Sequence, residues 1–149
     1  MLYRSRHECG PNQLGGLRKC WARASIWREQ LVATTCVLAT ENRTFQNEIM
    51  EALSNYSFVY PQLLVAFSLL HHERADDLIL SYRDKEWTSD EFKLYGAVEV
   101  VCKHCNIIFS QPSEYRNALE SDEYNIGKRT AEEHLKFWSD RINGHCNDA

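Results

Sequence analysis

The sequence predicts an all-α, single-domain helical bundle around one central hydrophobic helix. Three observations predict it. Apolar residues recur at a three-four step along most of the chain, the spacing of one helix face. Nothing alternates with period two over a useful length. The stretch Leu94–Phe109 is apolar on nearly every side, and such a helix is stable only when others surround it. At 149 residues the chain is long enough to bury one real core.

Residues 1–13 carry Gly10-Pro11-Asn12 and no periodicity, so they read as an irregular lead-in to a helical domain over 14–149. The series Leu17, Cys20, Ala24, Trp27, Leu31, Thr34, Leu38 marks one face of a long amphipathic helix, ended by Glu41-Asn42-Arg43. Thr44 is the expected cap of a second helix, whose buried stripe is Phe45, Ile49, Leu53 and Tyr56. Pro61 opens a third helix through Leu63, Leu64, Phe67 and Leu70, continuing past Leu78 to Tyr82. Thr88 and Glu91 form a capping box that starts the central helix, expected over Ser89–Phe109 and stopped by Pro112. Its polar strip is Glu99, Lys103 and Asn106, with Glu99 and Lys103 a favourable i,i+4 pair. A short helix at Ser113–Glu120 and a polar loop at Ser121–Lys128 precede a second box, Thr130 with Glu133. That box opens the last helix, which Asn143-Gly144 ends in a bend needing positive φ at the glycine.

Composition removes several classes of function. The chain has 17 basic and 21 acidic residues, a net charge of −4, and no basic cluster beyond pairs such as Arg18-Lys19 and Lys128-Arg129. Phosphate backbones demand a basic face, so nucleic acid is disfavoured as a partner. The first residues have no apolar core of a signal peptide, and the Leu94–Phe109 stretch is too short and too polar to span a bilayer. A soluble, cytoplasmic protein without a transmembrane anchor is expected. The six cysteines fall largely inside helical patterns, which suits reduced, packed thiols better than a disulfide framework. The sequons at Asn42 and Asn55 read as chance matches.

Two stretches carry a resemblance. The last helix contains His134-Leu135-Lys136-Phe137-Trp138, followed by Asn143-Gly144-His145. This resembles the second Bcl-2 homology motif, in which His-Leu-x-x-Trp leads to a Gly-rich turn. Upstream lie Tyr82-Arg83-Asp84, Trp87, Phe92 and Leu94-Tyr95-Gly96-Ala97-Val98. These are similar, in order, to the aromatic-Arg-Asp, tryptophan and aromatic-Gly-Ala positions around the family's first homology motif. Gly96 and Ala97 would let a neighbouring helix approach closely. The Asn and Gly beside the family's tryptophan are absent, and so is the Arg after it, which there pairs with an Asp of the bound helix. Thr88-Ser89-Asp90-Glu91 stands in that place, leaving Arg83 or Lys93 as replacements.

The resemblance implies a divergent, viral-type pro-survival member of the Bcl-2 family. Such a protein inhibits apoptosis by holding the amphipathic death helices of pro-apoptotic Bcl-2 proteins in a hydrophobic groove. It would meet mitochondria only through its partners. In this chain the groove is expected from Ile49, Leu53 and Tyr56 of the second helix and from Leu70, Leu78 and Tyr82 of the third. Arg83, Trp87, Phe92 and Tyr95, around the start of the central helix, complete it. Self-association to a homodimer stays open.

Other readings compete. An unrelated helical interaction or virulence protein fits the same periodicity. Cys102 and Cys105, with His134, His145 and Cys146, make a zinc or thiol site conceivable, but that pair falls within a helix among Val and Ile, where packed thiols are the simpler reading. His71-His72-Glu73 reads as solvated helix surface. Trp21, Trp27 and Trp138 read as core anchors, and Trp87 as core or groove end. No Gly-rich phosphate loop, nucleophile-base pair or catalytic carboxylate pair can be placed, so neither enzyme activity nor a cofactor is expected.

Overall fold

A computed structural model describes residues 27–55, 57–109 and 116–144, and is all-helical over them, with no strand among the described residues. The order is α1 (Trp27–Ala39), a 3₁₀ turn (Arg43–Phe45), α2 (Gln46–Ser54), α3 (Tyr60–Leu70) and α4 (His72–Ser81). A second 3₁₀ turn (Ser89–Glu91) leads into α5 (Phe92–Cys105), followed by α6 (Arg116–Leu119) and α7 (Asp122–Gly144). The expected start of the first helix, with Leu17, Cys20, Trp21 and Ala24, lies outside the described residues, as do Tyr56 and the turn beyond Gly144.

The expected central helix is central. In α5 Leu94, Tyr95, Gly96, Ala97, Val98, Val100, Val101 and Cys102 are all buried. α3 is apolar almost all round in the same way, burying Leu63, Leu64, Val65, Ala66, Phe67 and Leu70. Both are sheathed by helices with one wet face, α1, α2, α4 and α7.

Several boundaries differ from the sequence reading, each for a local reason. The first 3₁₀ turn is capped by Asn42 rather than Thr44: Asn42 Oδ1 accepts from the Thr44 backbone N–H at 2.9 Å. The long third helix is two helices, broken at His71 (φ −129°, ψ 50°). Most of α3 is inside, whereas α4 fully buries only Ala75 and Ile79, so one straight rod cannot serve both patterns. α5 stops at Cys105, because Asn106 takes a left-handed φ of 56°, which asparagine tolerates better than most residues.

The largest difference is at 122–128, which is helix and not loop. Ser121 Oγ accepts from the Tyr124 N–H at 3.2 Å, and Asp122 and Glu123 fill the first turn, where carboxylates suit the helix dipole. Thr130 and Glu133 are therefore interior to α7, not its start, and Gly144 is its last helical residue.

Gly96 and Gly127 explain that misreading. A Cβ on Gly96 would run into the backbone carbonyl of Tyr124 and lie 2.9 Å from the Lys128 nitrogen. A Cβ on Gly127 would strike the Lys93 carbonyl. The two glycines let α5 and α7 touch backbone to backbone. The helices run the same way: Gly96 meets Tyr124 and Lys128 at one end, while Lys103 and His104 share a cleft with Lys136 and Ser139 at the other. Glu99 of α5 clamps the crossing, accepting from Tyr124 Oη and pairing with Lys128 Nζ at 3.0 Å.

A polar link ties α1 to the loop before α3. Gln30 is fully buried on α1, and its Oε1 accepts from Ser57 Oγ at 2.6 Å; Ser57 Oγ in turn accepts from the Val59 N–H at 3.2 Å. Ser57→Ala strips two buried groups of a partner, so a loss of about 1–3 kcal/mol in chemical denaturation is expected. A change within error would show that water reaches the site.

Candidate partner-binding site

The N-terminal end of α5 is built by its own short-range chemistry. Glu91 Oε2 accepts from the Thr88 backbone N–H and from Thr88 Oγ1, both at 3.2 Å, and Glu91 Oε1 pairs with Lys85 at 2.8 Å. Burial works against the Glu91 charge, but the bonds from Lys85 and Thr88 outweigh it and hold the carboxyl below its usual range. The capping box read from the sequence is thus present, though it opens the 3₁₀ turn that leads into α5.

The aromatic residues of the resemblance gather behind this cap. The Trp87 ring lies 5.7 Å from Tyr82 and 4.8 Å from Tyr95, and Tyr95 lies 5.8 Å from Tyr124. Tyr82 and Trp87 are buried and Tyr95 has no exposure, so burial raises the Tyr82 hydroxyl pKa strongly. This cluster folds the 82–88 loop back onto α5. Trp87 is a core residue here.

The other expected groove residues divide in two. Ile49, Leu53 and Leu70 are buried in the core with Tyr95, and none of the four faces an open surface. Leu78 and Phe92 are half-buried against the core, and Arg83 is exposed. The structure brings most of them into one cluster, but that cluster is the closed interior of the bundle. An apolar stripe at helical spacing looks the same whether it faces a core or a groove.

An open apolar cleft lies nearby, at the start of α5. It holds about 310 Å³ and is lined by Trp27 and Leu31 of α1, by Phe58, Val59 and Gln62 at the start of α3, and by Lys93. Phe58 is 56% exposed and Trp27 41%, so Trp27 is a surface ring and not the core anchor expected. Lys93 Nζ stands at the rim and donates to the Phe58 carbonyl at 2.7 Å. The signal for this cleft was the run Phe58-Val59-Tyr60-Pro61, in which consecutive apolar residues at a helix start cannot all turn inward.

The histidines and thiols behave differently from the metal reading. His71 is buried beside the Phe67 ring at 5.3 Å, not solvated, and its Nε2 has no hydrogen-bond partner. Burial lowers its pKa, against the pull of Glu73. Burial, with Cys105 next in weight, pushes the Cys102 thiol up to about 12, and burial with Asp76 raises Cys105. Reactive and metal-binding cysteines need the thiolate, which this setting disfavours. Among the described residues no three His, Cys, Asp or Glu side chains converge as metal ligands. No described helix is long and apolar enough to cross a membrane.

No protein-family model matches the chain, and neither a curated protein nor a solved structure does.

Proposed function

We propose that this protein binds and sequesters the amphipathic death helix of pro-apoptotic Bcl-2 family proteins, and so acts as a pro-survival regulator in the cytoplasm. The observation that carries the reading is the open cleft beside the wrapped central helix, with apolar walls from Trp27, Leu31, Phe58 and Val59 and the Lys93 cation at its rim. An amphipathic helix offers apolar anchors on one face and acidic residues at its edge, which is the complement of that surface. α3 and α5 both begin here, and the positive ends of their dipoles add to Lys93 in favouring an acidic partner. In this reading Lys93 takes the role of the arginine missing after Trp87. Sequestration requires no chemistry, so the raised thiol pKa values of Cys102 and Cys105 are compatible with it.

Fluorescence anisotropy with a panel of death-helix peptides tests the proposal. Binding in the micromolar range or tighter is expected for at least one peptide. Phe58→Asp removes an exposed anchor and should weaken binding by at least about tenfold with helicity unchanged. Lys93→Glu should weaken it about tenfold to a hundredfold and flatten its salt dependence. Absence of binding by every peptide at tens of micromolar protein would overturn the reading.

A further inference from the structure

The face formed by α1 and α7, away from the Lys93 cleft, has the features of a surface that pairs with itself. α1 exposes Val32, Thr35, Cys36 and Ala39 at helical spacing, and it carries no charge between Glu29 and Glu41. Beside it, Phe137 of α7 is 48% exposed and stands as a ridge between two clefts of about 390 and 360 Å³. Trp138 forms part of both. Glu133 lines one of the clefts, and Arg141 lines the other together with Glu41 of the turn after α1. Along α7 these residues sit four positions either side of Phe137, about 12 Å from one another by helix rise.

An isologous contact requires that a patch complement its own copy after a two-fold rotation. The geometry points to a homodimer in which the α7 helices of two copies cross antiparallel on an axis through Phe137. That rotation sets Glu133 of each copy against Arg141 of the other and brings the two Phe137 rings together on the axis. Uncharged Val32, Thr35 and Ala39 then close against the partner, with Glu41 left at the edge of the contact. Arg141 now stacks on its own Phe137 ring at 3.4 Å, which leaves guanidinium N–H groups for the partner's carboxylate. A foreign partner would need no such symmetric placement of opposite charges about one aromatic ridge.

Sedimentation of the full-length, reduced protein from micromolar to sub-millimolar concentration gives the test. A dimer is expected for the parent chain. Phe137→Glu should be monomeric with unchanged helicity, since the position is exposed. Glu133→Arg and Arg141→Glu should each weaken the dimer about tenfold or more, yet a mixture of these two variants should pair tightly as a heterodimer. That restoration separates this geometry from other self-association and from any misfolding. A parent chain that stays monomeric, a dimer indifferent to Phe137→Glu, or no rescue in the mixture would each overturn the assignment. None of these readings depends on binding of a death helix.

Discussion

Gly127→Val is expected to leave the protein largely unfolded. In most helix interiors, replacing glycine with a residue that has a Cβ gains up to about 1 kcal/mol, because glycine is the poorer helix former. Here the first added carbon strikes the Lys93 backbone carbonyl, and backbone cannot swing aside as a flexible side chain does. Separating α5 from α7 would loosen the bundle's main crossing and break the Glu99 pair with Lys128. A cost of about 4 kcal/mol or more is expected, a large part of the roughly 5–15 kcal/mol that holds a small domain together. Gly127→Ala should already destabilise in urea titration. A stabilised Gly127→Ala would mean that the helices do not approach as described.

Val98→Asp should be nearly as damaging by a different route. Val98 has no exposure and lies midway along α5, where a carboxylate is cut off from solvent. Burying an unpaired charge costs several kcal/mol, and the chain escapes that cost by unfolding or by keeping the acid protonated. Circular dichroism at neutral pH should therefore show lost helicity or a sharply lowered melting temperature, with partial recovery in mild acid. On an exposed helix face the same change would stay within about 0.5 kcal/mol. A soluble, fully helical Val98→Asp variant would remove α5 from the centre of the bundle.

The fold class and the central helix were legible because they depend on apolar spacing, which a sequence displays directly. Boundaries were less so where one residue type serves two purposes. Gly127 reads as a breaker in a polar stretch, yet it is the contact point that makes Tyr124, Gly127, Ala131 and Trp138 one buried stripe. His71 reads as solvated because it stands beside His72 and Glu73, but the break in the helix at that residue turns it inward. The open cleft was not legible: of its lining only Lys93 stands out in the sequence as a site residue, as a replacement for the missing arginine. Trp87, Phe92 and Tyr95 do mark the start of α5, but the exposed wall there comes from Trp27 and Phe58. Which face of a helix stays uncovered depends on the arrival of distant segments, and no local pattern records it.

The parallel pairing of α5 with α7 also bears on the order in which the molecule can form. Two parallel helices cannot close as a hairpin, so Gly96 must wait for residues 28 to 32 positions further along the chain, at Tyr124 and Lys128. Contacts of that sequence separation are made late, after loop-closure entropy has been met. During synthesis α1 to α5 leave the ribosome first, with the Gly96 face of the apolar α5 still bare. Transiently exposed apolar surface of this kind invites aggregation. The nascent chain is therefore most vulnerable in the interval between the appearance of Cys105 and that of Trp138, when chaperone protection matters most.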